Sequence, residues 1–376
     1  MRMIALVSDQ RMQNILPLLQ QGSQYRELIL VMSKERGTGK PAQRFIKATN
    51  DIADVVAHVR PNMYVSVCCH FFDPYDIDEI RALIECLIVS GEQQVVVNMS
   101  GGTKPMAIGA LQAAQQTGIA CVYTNTENNE LIWIMPNAAV HTEAFNLMDL
   151  DVSAYLRAYG DRVESCTVFN DINAETVAWA DTLLDHYEVL YKAVIVKVMR
   201  ALSDRSGGYP ISVALAPTRR QKNIIATLAH QSLWEWNEGR SEIVVHHQRQ
   251  ADFICGGWVE LCVACQLHRS SAFHNICLNI KLHDIDGDID VAVISGARLI
   301  LIECKSNLKE TNQLNTLLGF KNKLGGPFAH AYYARAADDN KPNIMKKSNK
   351  LRLNGVFCGT ELRTLAQEIE HKLREA

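Results

Sequence analysis

The sequence of 376 residues contains no apolar run approaching the roughly 18–20 residues that a bilayer-spanning helix needs, which excludes a helical membrane span. It has no excess of charge of either sign: 38 Lys+Arg against 41 Asp+Glu leave a formal net charge of −3. No global basic field therefore marks a nucleic-acid binder, and any such surface has to be local. Internal repeats and low-complexity tracts are missing, and 48% hydrophobic with 21% charged residues excludes wholesale disorder. The eleven cysteines have no framework spacing and are odd in number, so they suit a reducing compartment better than a disulfide scaffold. Met1-Arg-Met-Ile-Ala-Leu-Val7 runs directly into Ser8-Asp9-Gln10, without the longer apolar stretch and small-residue cleavage site of a signal peptide. A cytoplasmic protein without membrane partners is the expectation. At roughly 150 residues per domain, the length suggests two domains and a connector.

What is present is an alternation. Residues 3–7, 28–32, 63–68, 94–98 and 120–123 are short Val/Ile-rich runs that read as buried strands. Between them, 10–20, 42–59, 76–90 and 105–117 read as helices. This is the pattern of an α/β domain with an open parallel sheet, whose ligands bind at the carboxyl ends of the strands. The pattern changes near residue 145. Residues 174–202 lack Pro and Gly and predict one long helix, broken by Ser206-Gly-Gly-Tyr-Pro210, and 221–236 predicts a second. Residues 146–240 thus read as a helical connector. Strand signals at 242–247, 289–294, 299–304 and 328–333 make 241–376 a separate α/β unit.

The most specific feature of the first half is Asn98-Met-Ser-Gly-Gly-Thr-Lys-Pro-Met106, which follows a Val-Val-Val strand and opens into a helix. Pro105 suits a first helical turn, where its missing N–H leaves nothing unpaired. Gly101 and Gly102 let the backbone approach a ligand, and free N–H groups at a helix start favour anions. Ser100, Thr103 and Lys104 add hydroxyls and a mobile positive charge, so the turn fits a phosphate. It is not a Walker A loop, and neither is Gly37-Thr-Gly-Lys40, which is followed by Pro41. The simpler reading is a tight strand-to-helix turn with Lys104 in solvent.

In the second half, two apolar runs flank Ser295-Gly-Ala-Arg298. A two-residue loop at Gly296-Ala297, with Gly first as a type II′ turn prefers, fixes the register. Asp290 then stands opposite Glu303, with Cβ atoms about 5 Å apart, and Asp288 opposite Lys305. Lys305 shares the face of Glu303. Facing carboxylates repel, and a hard divalent cation resolves the repulsion. Lys305 could then orient an attacking water or hold charge developing on a phosphate. The simpler reading is an exposed hairpin face with an Asp288–Lys305 salt bridge.

Asp290, Glu303 and Lys305, spaced Asp-x(12)-Glu-x-Lys, form the pattern of the PD-(D/E)xK nucleases, with Ile289 in place of the frequent Pro. With the 98–106 turn upstream, the chain resembles the ancillary nucleases of type III CRISPR defence. These join an N-terminal CARF domain, Rossmann-like with a parallel sheet, to a C-terminal restriction-endonuclease-like domain. The resemblance implies a sensing domain over 1–145, a connector over 146–240 and a nuclease over 241–376. It implies a homodimer that binds cyclic oligoadenylate, most often cyclic tetra-adenylate, and then cuts DNA, RNA or both with Mn²⁺ or Mg²⁺.

By position, Ser100, Gly101, Gly102, Thr103 and Lys104 would contact the ligand, with Asn98 opening the motif. Ser8, Gln10, Ser33, Met106 and Thr124 transfer only as strand-end positions. The resemblance also points to Glu260, at the start of an apolar helix, as the carboxylate completing a metal site with Asp290, Glu303 and the Cys304 carbonyl. Glu260 reads equally as a carboxylate favoured by the helix dipole.

Other features are weaker. Cys262 and Cys265 form a lone CxxC on an apolar helix, where burial is expected rather than zinc. Cys68-Cys69-His70 looks like the end of a buried strand, and His246-His247 like a surface strand. Residues 341–376 carry eight Lys+Arg against four Glu, and Lys309, Lys321 and Lys323 precede them. These suit a nucleic-acid backbone or a solvated face alike. The alternative function is a cyclic-nucleotide-sensing regulator that binds nucleic acid without cleaving it.

Overall fold

The computed structural model describes residues 1–35, 37–89, 94–147, 150–204, 207–283, 285–306, 313–325 and 328–375. The chain divides into two compact units. The first holds Met1–Val163 with Gly296–Leu299 and Lys323–Phe328; the second holds Glu164–Ser295, Ile300–Asn322 and Ala329–Ala376.

The first unit runs β1 (Arg2–Leu6), α1 (Met12–Leu19), β2 (Glu27–Val31), α2 (Gln43–Val59), β3 (Tyr64–Val67), α3 (Ile77–Val89), β4 (Val95–Asn98), α4 (Lys104–Thr117) and β5 (Ala120–Asn125). It continues through β6 (Glu130–Ile134), β7 (Val140–Ala144) and α5 (Val152–Ala158). The strands form one sheet in the order β3-β2-β1-β4-β5-β6-β7. The first five run parallel, as expected from apolar strands separated by helices. β6 and β7 extend the sheet antiparallel, which the sequence reading did not anticipate. Ile4, Val31, Val97 and Cys121 share a core with Ile80 and Ile84 of α3 and Met106 and Ala110 of α4. Strand order reverses at β1, which lies between β2 and β4, and that is where an open α/β sheet leaves a crevice.

The second unit holds β8 (Val163–Val168), α6 (Ala174–Asp185), α7 (Tyr187–Leu190), α8 (Val196–Ser203), β9 (Ile211–Ala214), α9 (Arg219–His230), β10 (Glu235–Asn237), β11 (Glu242–Val245), α10 (Gln248–Asp252), α11 (Trp258–His268) and β12 (His274–Leu282). β13 (Ile285–Ser295), β14 (Arg298–Lys305), α12 (Gln313–Leu324), β15 (Ala329–Arg335), α13 (Lys341–Lys350), β16 (Gly355–Cys358) and α14 (Leu365–Glu375) complete it. Its main sheet has the order β16-β15-β14-β13-β12-β8, and β10-β11-β9 form a small antiparallel sheet.

Three expectations about 146–240 are corrected. The segment is not wholly helical: β8 edges the main sheet, and β9 and β10 belong to the small one. The single helix expected over 174–202 is interrupted after Asp185, where His186 leaves the helical region (φ −113°, ψ 21°), and again by a π-helical turn over Tyr191–Ile195. The irregularity serves two buried phenols. The Tyr187 hydroxyl donates to the Ala336 carbonyl and that of Tyr191 to the Ser306 carbonyl. The helix expected over 221–236 ends at His230, since Ser232 turns left-handed (φ 64°) and Trp234 folds back, its indole N–H donating to the Ile225 carbonyl.

Candidate functional site

Two sites emerge, one in each unit. In the first, β4 ends at Asn98, whose fully buried side chain organises the turn that follows. Its amide donates to the Gln13 carbonyl (2.9 Å), and its oxygen accepts from the Ser100 N–H (3.0 Å) and hydroxyl (2.6 Å). Ser100 Oγ in turn accepts from the Thr124 N–H at 2.7 Å, so β4 and β5 are locked together beneath the turn. Gly101 is required here: a Cβ at this position would lie 1.9 Å from the Leu6 carbonyl oxygen. Thr103 caps α4 by accepting from the Met106 N–H, and its hydroxyl donates to the Pro74 carbonyl at 2.6 Å.

Above this turn, at the switch point, lies a cavity of about 670 Å³. Of the residues singled out from sequence, Ser8, Ser33, Gly102, Thr103 and Met106 line it. Asn98, Ser100, Gly101 and Thr124 support its floor, whereas Gln10 and the exposed Lys104 are not among the lining residues. Sequence reasoning missed Lys34, Arg44 and Tyr75, all of which line it. Their only sequence signal was position, after a strand or at a helix start. Lys34 pairs with Glu79 (3.1 Å) and Arg44 with Asp9 (3.5 Å), at half-exposed to exposed side chains. Such pairs are weak and easily exchanged for a ligand anion.

The second site sits on β13 and β14. Ser295 and Arg298 flank a two-residue loop in which only Gly296 takes a left-handed φ (56°), the II′ pattern on which the expected register rests. Asp290 and Glu303 are 5% and 7% exposed. Lys305 Nζ lies 2.9 Å from Asp290 Oδ2 and 2.8 Å from Glu303 Oε1, so the two carboxylates converge on one ammonium. Lys305 thus pairs with these two, rather than with Asp288. The Cys304 N–H donates to Asp290 Oδ2 at 2.6 Å.

Burial pushes the Glu303 carboxyl upward, the Asp290 charge adds to the effect, and Lys305 opposes it. Asp290 is likewise raised by burial against the pull of Lys305. Burial disfavours the Lys305 ammonium, but Asp290 and Glu303 outweigh it and hold the amine protonated. Glu260, in the first turn of α11, is pushed up to about 7 by burial and then by the Asp290 charge. One ammonium faces two carboxylates, Asp290 and Glu303, an oxygen pair that a hard cation also suits. Among the described residues, however, no three His, Cys, Asp or Glu side chains group closely enough to hold a metal ion. The donor chemistry of Asp290 and Glu303 fits such an ion, and Glu260 feels the charges of Asp290 and Lys305.

Cys262 and Cys265 are buried, and the Cys262 thiol donates to the Ala180 carbonyl, which makes them core residues. Cys68 is buried, Cys69 and His70 exposed. His246 meets Glu235 at 2.8 Å on the surface. Lys309 lies outside the described residues.

Comparison with known families covers the segments that hold both sites. Residues 3–155 match the family model of the Card1 CARF domain, and residues 247–376 match that of the Card1-like endonuclease domain. The chain belongs to the Card1-like family of CARF endonucleases. Solved structures share the fold of this Card1-like chain. Can2 from Sulfobacillus thermosulfidooxidans, solved in complex with cyclic tetra-adenylate, is 16% identical with a TM-score of 0.74, over 99% of this chain and 97% of that one. Protein VC1899 from Vibrio cholerae is 15% identical with a TM-score of 0.78, over 99% and 98%. A type III CRISPR defence DNA nuclease activated by cyclic oligoadenylate is 14% identical with a TM-score of 0.54, over 90% of this chain and 45% of that one. No curated protein matches the chain significantly by sequence. Among the described residues no helix is long and apolar enough to cross a membrane.

Proposed function

We propose that this chain is a metal-dependent nuclease of type III CRISPR defence, switched on by cyclic oligoadenylate. The observation that carries the reading is the convergence of Asp290, Glu303 and Lys305 inside the segment matched by the endonuclease family. In this reading residues 1–145 sense the ligand, 241–376 cut DNA or RNA, and 146–240 links them. The ligand is cyclic tetra-adenylate, held by a homodimer in which each copy supplies one half-pocket, as a two-fold ring requires. Lys34 and Arg44 exchange their surface carboxylates for ligand phosphates, and the turn at 100–104 presents hydroxyls and N–H groups to the ribose and phosphate.

Asp290 and Glu303, with the Cys304 carbonyl, would hold Mn²⁺ or Mg²⁺, which when bound supplies Lewis-acid activation of the phosphodiester and of water. Lys305 remains an ammonium and donates to the attacking water or to the phosphoryl oxygen on which charge develops. Glu260, able to gain or lose a proton near neutrality, orients that water. The phosphodiester bond breaks in line with the attacking oxygen.

The test is cleavage of supercoiled plasmid, single-stranded DNA and RNA with Mn²⁺, with and without cyclic tetra-adenylate, against a Glu303→Ala control. Cutting that needs both activator and metal and is lost in the control is the expected result. Binding of ligand and nucleic acid with no cutting in any arm overturns the nuclease and leaves a sensing regulator.

A further inference from the structure

The two family matches leave residues 156–246 unassigned; the stretch carries ten Lys+Arg against eleven Asp+Glu, yet its helices present a local group of exposed cations. Lys192, Lys197 and Arg200 are exposed and recur at helical spacing along the π turn and α8. No acidic residue interrupts residues 189–203. Arg219 and Arg220, also exposed, are the first two residues of α9. Among the described residues, Lys197, Arg200, Arg219 and Arg220 form no ion pair. Lys192 meets only the exposed Asp338, at 3.1 Å.

Arg219 and Arg220 stand at the wrong end of their helix. The first turn of α9 holds no acidic side chain, and cations there oppose the helix dipole. Local stability therefore does not explain them. The basic residues of α13 differ: Lys347 and Lys350 lie in its last turn, where the dipole favours them, and they carry no inference.

Hydrogen bonds join this charge to the cutting end of the sheet. Tyr191, next to Lys192, donates to the carbonyl of Ser306, which directly follows Lys305 (3.0 Å). The Ala336 N–H donates to the Lys305 carbonyl, and Asp338, the partner of Lys192, lies two residues further on. Gln221 of α9 donates to the Val189 carbonyl at 3.2 Å, which fixes the start of α9 beside α7. These bonds set Lys192 and the start of α9 near the catalytic end of β14, and Lys197 and Arg200 continue from Lys192 along α8.

We infer that Lys192, Lys197, Arg200, Arg219 and Arg220 form a platform that binds the phosphate backbone of the nucleic acid to be cut. The inference rests on the nuclease reading for its substrate, but its evidence is separate from the carboxylate site. The exposed cations have no aromatic residue interleaved among them in 196–203 or 217–223, so the contact is with backbone and is sequence-independent.

The test measures binding of labelled single-stranded DNA, duplex DNA and RNA, in separate arms, to the full chain carrying Glu303→Gln and supplied with cyclic tetra-adenylate. The same measurement is made after adding K197Q/R200Q/R219Q/R220Q. Each lost phosphate contact lowers the slope of log affinity against log salt by about 0.7 to 0.9, so the slope should fall by about 3 and affinity by roughly tenfold or more at moderate salt. R219E/R220E guards against misfolding, because acids in that turn agree with the dipole. Its melting temperature should hold or rise while affinity falls. The arm showing the loss identifies the nucleic acid. Unchanged slope and affinity in every arm overturn the platform, whatever the nuclease does. Platform-dependent binding by a chain that cuts nothing with Glu303 intact upholds the platform and overturns the nuclease reading. A parent chain that binds no nucleic acid overturns both.

Discussion

Replacing Lys305 by Met tests the charge balance of the second site directly. The side chain keeps its length and loses the ammonium shared by Asp290 and Glu303. Removing one partner of a buried ion pair costs about 3–5 kcal/mol, because the charge left behind is uncompensated. Lys305 is 27% exposed, so water recovers part of this, and about 3 kcal/mol at pH 8 is the expectation. The effect should depend on pH with a definite sign. Both carboxyls are raised in the folded chain, so folding takes up protons between the ordinary carboxylate range and the raised folded values. Stability from these groups is fully present below the unfolded pKa and is lost as pH rises through the folded one. Without the ammonium the folded values rise further, and the loss steepens.

The two chains should therefore nearly coincide at pH 4.5 and separate progressively toward pH 8. Urea unfolding followed by tryptophan fluorescence reads this out, since Trp179, Trp234, Trp236 and Trp258, four of the five tryptophans, lie in the second unit. An equal difference at pH 4.5 and pH 8 would refute the electrostatic argument and leave a packing effect. A Lys305→Met chain more stable than its parent at pH 8 would refute it outright.

Further outcomes follow from other particulars. Gly101→Ala should destabilise the first unit by about 3 kcal/mol, because a Cβ 1.9 Å from the Leu6 carbonyl forces β1 and the turn apart; hydrogen exchange of β1 and β4 checks this. Arg44→Ala should weaken cyclic tetra-adenylate binding about tenfold by calorimetry, the effect of one charge-assisted contact, and unchanged affinity would exclude the switch-point cavity. Lys104→Ala should weaken activation if the ligand extends beyond the cavity onto the α4 start, and intact activation would place Lys104 outside the contact. Glu303→Ala should abolish cleavage and leave ligand affinity unchanged; surviving cleavage would remove Glu303 from the site.

The legible parts of the fold were those where one local rule decided the outcome. Uninterrupted Val/Ile runs between helices gave the five parallel strands, and a glycine-first loop of two residues joins the strands whose Asp290 and Glu303 converge on Lys305. β7 escaped because Val140–Ala144 is almost wholly exposed and carries no burial alternation. β12 escaped because Asn275 and Asn279 turn left-handed inside it and the register shifts. The break at His186 and the π turn after it left no trace in a sequence whose apolar spacing is continuous from 174 to 202. They are set by where Tyr187 and Tyr191 find carbonyls on distant strands. The ligand cavity was half legible: its glycines and hydroxyls belong to a motif, whereas Lys34 and Arg44 belong to none and reach it from the loop after β2 and the first turn of α2.

The two sites hold their cations in opposite ways, and this has a consequence for metal binding. Lys34 and Arg44 are paired at exposed positions, where ion pairs contribute little and exchange freely. Lys305 is held by two nearly buried carboxylates, the same pair proposed to take a divalent ion. Ammonium and metal therefore compete for one set of oxygens, and each weakens the other by the same free energy. Lys305→Met should accordingly bind Mn²⁺ more tightly than the parent chain while cutting more slowly, since the mutation removes both a competitor and the donor to the reacting water. Calorimetric Mn²⁺ titration of both chains at pH 8 decides the point. Weaker binding in the Met variant would mean that Lys305 organises the carboxylates for the metal instead of competing with it.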